Sequence, residues 1–158
     1  MDVTKIPLRR FTARVLPIDE QGRVLLLHGF DPAQPERRFW FTIGGAREDG
    51  ETLRDAAARE LFEEVGIRAA AEALTGPHAE GLIEFEWGEY RFVQDQALFA
   101  IRVSDVVVSF DHMEQAEKDT TTAYRWWSAE ELDSAEEDVH PEDLAAILRK
   151  ILAAPDAT

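Results

Sequence analysis

The chain has 158 residues, 45% of them hydrophobic and 31% charged, which is the balance of a folded protein with room for one sizeable core. Its net charge of −15 repels nucleic-acid backbones and anionic lipid surfaces, so neither a nucleic-acid polymer nor a membrane is expected as a partner. Cysteine is absent, which excludes disulfides, thiolate metal sites and cysteine nucleophiles.

In chain order, Met1 to Arg10 shows no apolar core of an export signal, and no apolar run reaches bilayer length, so a cytoplasmic location is expected. Ala13 to Asp19 and Arg23 to His28 read as two strands joined by a hairpin at Asp19-Glu20-Gln21-Gly22. Gly29 to Arg38, with Pro32 and Pro35, reads as a surface loop. Phe39 to Ile43 is a short aromatic strand running into Gly44-Gly45. Thr52 to Val65 is the strongest helix signal: Thr52 is a candidate N-cap, Gly66 a candidate C-cap, and Leu53, Ala57, Leu61 and Val65 form one apolar stripe.

Gly81 to Trp87 and Tyr90 to Val103 read as two strands joined at Gly88-Glu89. Asp111 to Thr121 is a polar loop or short helix, and Tyr124 to Trp127 an aromatic strand. The acidic run from Glu130 to Asp138 reads as solvated surface. Pro141 is expected to open a last helix reaching Leu152, with Glu142 and Asp143 in its first turn. Strands and helices mix without strict alternation, repeats or a linker. The expected fold class is therefore α/β of the α+β type, one domain over residues 1–158 with its core over about 10–152.

Glu60, Glu63 and Glu64 stand at i, i+3 and i+4 of the strong helix, so they project from one side. By spacing alone such a row is more often a solvated face. As ligands, its oxygens would suit Mg2+ or Mn2+ and disfavour zinc, since no histidine or cysteine stands beside them. Arg59 can relieve Glu63, whereas nothing on the helix is expected to relieve Glu60 or Glu64. Arg37, Arg38 and Arg47, cations near this segment of an acidic chain, are candidates for phosphate contacts. Phe39, Trp40 and Phe41 are either core residues or a platform for a base. His28, His78, His112 and His140 are scattered without ligand spacing.

The segment GAREDGETLRDAAARELFEEVGI places Gly45, Glu51, Arg59-Glu60-Leu61, Glu63-Glu64 and Gly66-Ile67 at fixed intervals. It resembles the Nudix box at every specified position, and a motif of that length is far more specific than a lone glycine fingerprint. One departure is Ile43, where the family often has proline. The resemblance implies a Nudix-like mixed β-sheet sandwiched between helices, and a divalent-metal-dependent hydrolase of diphosphate linkages using Mg2+ or Mn2+.

By that resemblance Glu60, Glu63 and Glu64 are the metal ligands, and Gly45 lets backbone approach the metal. Glu51 and Arg59 form an ion pair anchoring loop to helix, so Arg59 carries less weight among the catalytic group. The general base is Glu64 or a glutamate of a later loop, where Glu117 is favoured over Glu114. Gln96 sits where some relatives carry another acid. The expected substrate is a small-molecule nucleoside diphosphate derivative; many members of the family are homodimers, and the sequence leaves the oligomeric state open. The alternative is a non-catalytic sensor of nucleotides or sugar phosphates, which a degenerate box would favour. An isoprenoid isomerase would need a cysteine, and an ion buffer would need repeated oxygen-ligand loops; the sequence has neither.

Overall fold

The computed structural model describes residues 4–154. The first residues of the segment read for an export signal, 1–3, lie outside them. The frame is a sheet containing β1 (Ile6–Ile18), β2 (Val24–Asp31), β3 (Gln34–Phe41), β4 (Ile43–Ala46), β5 (Thr75–Trp87), β6 (Tyr90–Arg102), β7 (Thr121–Trp127) and β8 (Asp138–His140). The strand order is β5-β6-β1-β2-β3-β8, with β4 pairing on β1 and β7 on β2. The helices are α1 (Leu53–Val65), α2 (Gln115–Thr120), α3 (Ala129–Asp133) and α4 (Leu144–Ala153). This is the mixed α+β architecture expected from the sequence.

Period-two alternation along β1 divides the core between the two faces of the sheet. Ala13 and Val15 belong to a fully buried cluster with Ala56, Ala57, Leu61 and Val65 of α1. Leu16 and Ile18 point the other way, into a cluster with Leu132, Leu144 and Leu148 of α3 and α4. The sheet is thus sandwiched, and truncating Leu61 or Leu148 to alanine would cost roughly 2–5 kcal/mol. β1 runs parallel to β6 from the Ile6–Tyr90 pair to the Ile18–Arg102 pair, which joins strands far apart in the chain.

Several expectations need correction. Gly29 to Arg38 is not a loop: β2 and β3 form a hairpin in which Phe30 pairs with Arg38. Pro35 is tolerated because β8 pairs with β3 only at Phe39 to Phe41, leaving the outer edge at Pro35 without a ladder. β1 begins at Ile6 and β5 at Thr75, earlier than read, because main-chain pairing carries polar stretches that lack an apolar pattern. The aromatic strand is broken at Thr42 between β3 and β4.

The last helix starts at Leu144 rather than Pro141, since Asp138 to His140 are extended against β3. Asp143 occupies the N-cap position without a side-chain bond, and the first turn holds no acid. The acidic run is exposed but not merely solvated: Glu131 completes a capping box with Ser128, and Asp133 pairs with Arg149 at 2.6 Å. Among the described residues, no helix is long and apolar enough to cross a membrane.

Candidate metal and phosphate centre

Local sequence fixes where α1 starts and stops. Thr52 Oγ1 accepts from the Asp55 N–H at 3.1 Å, and the Asp55 carboxylate accepts from the Thr52 N–H at 3.1 Å, a complete capping box. Gly66 ends the helix at φ 74, a conformation that favours glycine. With these ends fixed and the apolar stripe packed inward, Glu60 and Glu64 lie one turn apart, facing the strand-edge segment Gly44-Gly45. Both are buried, at 7% and 2% exposure.

The strand edge and the helix are fitted to each other. The Gly44 N–H donates to Glu64 Oε1 at 2.9 Å. At Gly45 a Cβ would lie 2.6 Å from Glu60 Oε1, so no other residue fits without moving that carboxylate. Glu117, the third residue of the short α2, completes the group: Glu60, Glu64 and Glu117 each bring an oxygen within 4.8 Å of the other two. Glu63 lies outside this trio and pairs with Arg59 at 3.2 Å. Glu114, the rival candidate for Glu117, is exposed at the start of α2.

Arg59 fastens the loop before α1. It grips Glu51 with two bonds, Nε to Oε2 at 2.8 Å and Nη2 to Oε1 at 3.0 Å, and donates to the Ala46 carbonyl at 3.0 Å. Its Nη1 also reaches Glu60 Oε1 at 3.0 Å. This corrects the expectation that nothing on the helix relieves Glu60. The Arg59 side-chain bond holds the Glu51 carboxyl below its ordinary range. Arg47, by contrast, is exposed over the Phe11 ring at 5.1 Å, and Arg37 pairs with Asp138 at 3.1 Å. Trp40 packs on Trp127 at 5.0 Å and on His28 at 4.5 Å, on the sheet face opposite α1.

Burial dominates the electrostatics. Desolvation, then the charges of Glu60 and Glu117, push the Glu64 carboxyl well above the usual range, against Arg14 and the Gly44 N–H. Desolvation also raises Glu60, with the Arg59 guanidinium opposing it. Glu117 is pushed up to about 7 by desolvation and then by Glu60, Glu114 and Glu63. Three mutually repelling oxygens of this kind fit a hard divalent cation, which would remove the repulsion that burial magnifies.

Two arginines of β1 were missed by sequence reasoning. Arg14 donates to the Thr42 and Gly44 carbonyls at 3.2 Å each, and Glu64, Glu60 and Glu117 all act on its charge. Arg10 lies over the Phe92 ring at 4.2 Å and donates to Gln94 at 2.7 Å. The available signal was a polar alternation, Arg10, Thr12 and Arg14, interleaved with Ala13 and Val15 on a strand that should bury both faces.

A mixed sheet between helices, with a largely buried carboxylate cluster against a glycine edge, defines an α+β domain whose site is made of oxygen donors. A family model described as the NUDIX domain matches residues 8–153, and the chain belongs to that family. A Bacillus subtilis protein described as the uncharacterized Nudix hydrolase YvcI is 35% identical over 98 residues, 56% of this chain and 54% of that protein. The dihydroneopterin triphosphate diphosphatase of Escherichia coli K12 is 40% identical over 72 residues, 46% of this chain and 45% of that protein. The chain thus spans about half the length of these curated relatives.

Among solved structures, the E. coli dihydroneopterin triphosphate pyrophosphohydrolase superposes with a TM-score of 0.58 at 25% identity, covering 95% of this chain and 100% of that one. The NUDIX domain of Shewanella oneidensis NrtR, solved with ADP ribose, gives 0.67 at 13% identity, covering 97% and 94%. The second likeness concerns the fold alone.

Proposed function

We propose that this protein is a divalent-cation-dependent hydrolase that cleaves a diphosphate linkage in a nucleoside diphosphate derivative. The observation that carries the reading is the convergence of Glu60, Glu64 and Glu117 oxygens within 4.8 Å of one another, beside a glycine edge that leaves no room for a side chain. The E. coli relative, named for its action on a pterin triphosphate, supports the choice of linkage.

In this reading Glu60, Glu64 and Glu63 would hold Mg2+ or Mn2+. The cation, when bound, neutralises phosphate charge and makes water more acidic. Glu117, the half-buried member of the trio, is placed to take a proton from attacking water at its carboxylate; Glu64 is the competing base. Arg14 keeps the Gly44 backbone in place and offsets carboxylate charge. Arg59 and Glu51 set the loop, and Arg47, exposed nearby, is free to meet a phosphate. Intact Glu60, Glu63 and Glu64 weigh against the binding-only alternative.

The test is a phosphate-release screen over nucleoside triphosphates, nucleotide sugars, ADP-ribose, dinucleoside polyphosphates and CoA, each with Mg2+, Mn2+ or EDTA. Metal-dependent release from at least one class is expected. Release from none of them would refute the proposal.

A further inference from the structure

A chain of amides leads from the acidic centre into a neighbouring cleft, and its polarity is fixed at one end. Arg10 pairs with Gln94 across the parallel β1–β6 ladder, and Thr12 pairs with Gln96. Arg10 lies within electrostatic reach of Glu60. Its Nε–H donates to Gln94 Oε1 at 2.7 Å, and Gln94 Nε2 donates to Gln96 Oε1 at 2.9 Å.

Either glutamine alone could be turned end for end, since amide oxygen and nitrogen are nearly the same shape. Arg10 removes that freedom, because a guanidinium donates and never accepts. Gln94, only 1% exposed, must therefore give its oxygen to Arg10 and its amino group to Gln96. Gln96 must in turn give up its oxygen, so its amino group is the end left over. Among the described residues no partner takes that group.

Gln96 lines a cleft of about 210 Å³ between β5, β6 and the start of α4, walled by Ile83, Leu98, Pro141 and Ile147. Gly81 stands opposite Gln96 on β5, and nothing lies within 4 Å of where its Cβ would be, so Gln96 is left uncovered. The volume is below the ~300–1,000 Å³ of sites for whole drug-sized ligands and suits a single flat ring system.

We propose that this cleft receives the heterocycle of the substrate and selects an oxo edge over an amino edge, a specificity that rests on the diphosphate-hydrolase reading. Gln96 offers a donor to a ring carbonyl, whereas an exocyclic amino group would set donor against donor. An oxo heterocycle of the lactam type also carries an adjacent N–H, and Asp143 lines the same cleft as a candidate acceptor for it. Gln96 is thus a specificity-determining residue, and Arg10 is a positioning residue that acts through Gln94.

The experiment compares kcat/KM for inosine against adenosine triphosphate and for uridine against cytidine triphosphate, pairs that exchange an oxo for an amino edge. In parallel, calorimetry without metal compares binding of free inosine and adenosine. The oxo member should be preferred at least ~10-fold in each pair, since a mismatch leaves buried donors unpaired. Gln96→Glu keeps the bond from Gln94 but presents an acceptor, so the preference should fall to parity or invert. Arg10→Met should weaken it by freeing the amides to turn, and Gln96→Leu should abolish it if Arg10→Met does not fold. Equal or amino-favouring ratios, or ratios unchanged in Gln96→Glu, would overturn the proposal. If no triphosphate is cleaved, the hydrolase reading fails for these substrates, and the nucleoside titration then decides the cleft. Inosine binding no tighter than adenosine, or neither binding, overturns it there.

Discussion

The backbone N–H of Gly44 and the side chain of Glu64 are joined by a hydrogen bond of 2.9 Å, which ties the strand edge to the buried face of α1. That bond orients a carboxylate whose surroundings disfavour its charge and which shares a group with Glu60 and Glu117. Arg14 holds the same backbone from the other side through the Thr42 and Gly44 carbonyls.

Gly45→Ala should disturb the centre while sparing the helix. Its Cβ would lie 2.6 Å from Glu60 Oε1, so Glu60 must rotate away. Manganese affinity is expected to fall ~10–100-fold, the usual effect of disturbing what orients a ligand. Manganese titration followed by electron paramagnetic resonance measures this, and far-ultraviolet circular dichroism should stay unchanged. Unaltered affinity would show that Glu60 is not a ligand.

Arg59→Lys keeps the charge and loses the two-pronged grip on Glu51 and the bond to the Ala46 carbonyl. Urea denaturation should show a loss of about 1–3 kcal/mol, because a lysine cannot satisfy both carboxylate oxygens and the carbonyl together. A loss below about 0.5 kcal/mol, the scatter of ordinary surface changes, would mean the loop is held by other contacts.

Without metal, stability should fall as pH rises from about 4.5 to about 7. Folded Glu117 titrates near 7 rather than near its ordinary 4.5, so in that window the folded state holds the extra proton. Glu60 and Glu64 are raised as well and act in the same direction. The contribution is fully present below the unfolded pKa and lost as pH climbs through the folded one. Glu117→Gln should flatten the decline, and saturating Mg2+ should reverse it. Thermal melts across pH measure this, and a metal-free stability that rises over the window would contradict it.

The box made α1, its caps and its carboxylates legible before any fold was known, because capping boxes, C-cap glycines and helical spacing are local signals. The hairpin at Gly88-Glu89 was local too. Arg10 and Gln94 were not legible as site residues, since they meet only through the parallel pairing of β1 with β6, and Arg14 reaches the Thr42 and Gly44 carbonyls through the antiparallel pairing of β1 with β4; no local pattern specifies either register. Pro141 misled for a similar reason: it resembles a helix start, but pairing of His140 with Phe41 keeps the chain extended into it. The family resemblance of its loop favours Glu117 over Glu114, and the packing of α2 brings Glu117 to Glu60 and Glu64 while Glu114 stays exposed.

Glu117→Gln should lower kcat by ~10²-fold or more while leaving KM nearly unchanged, because a base acts on water in the transition state and adds little to ground-state binding. Glu114→Gln, on the exposed start of the same helix, should matter only a few-fold. The acidic limb of the kcat profile should flatten in the first variant and persist in the second. A Glu117 variant with wild-type kcat and an intact acidic limb would return the role of base to Glu64.

The most direct test of the carboxylate centre is the rate of diphosphate cleavage against Mg2+ concentration, after dialysis with EDTA, in the wild type and in Glu64→Gln. The wild type should be inactive without metal and recover as Mg2+ is restored. Glu64→Gln should fold, and should fall at least ~10²-fold in kcat at every metal concentration. Turnover in excess EDTA, or a Glu64→Gln rate close to wild type, would contradict the account.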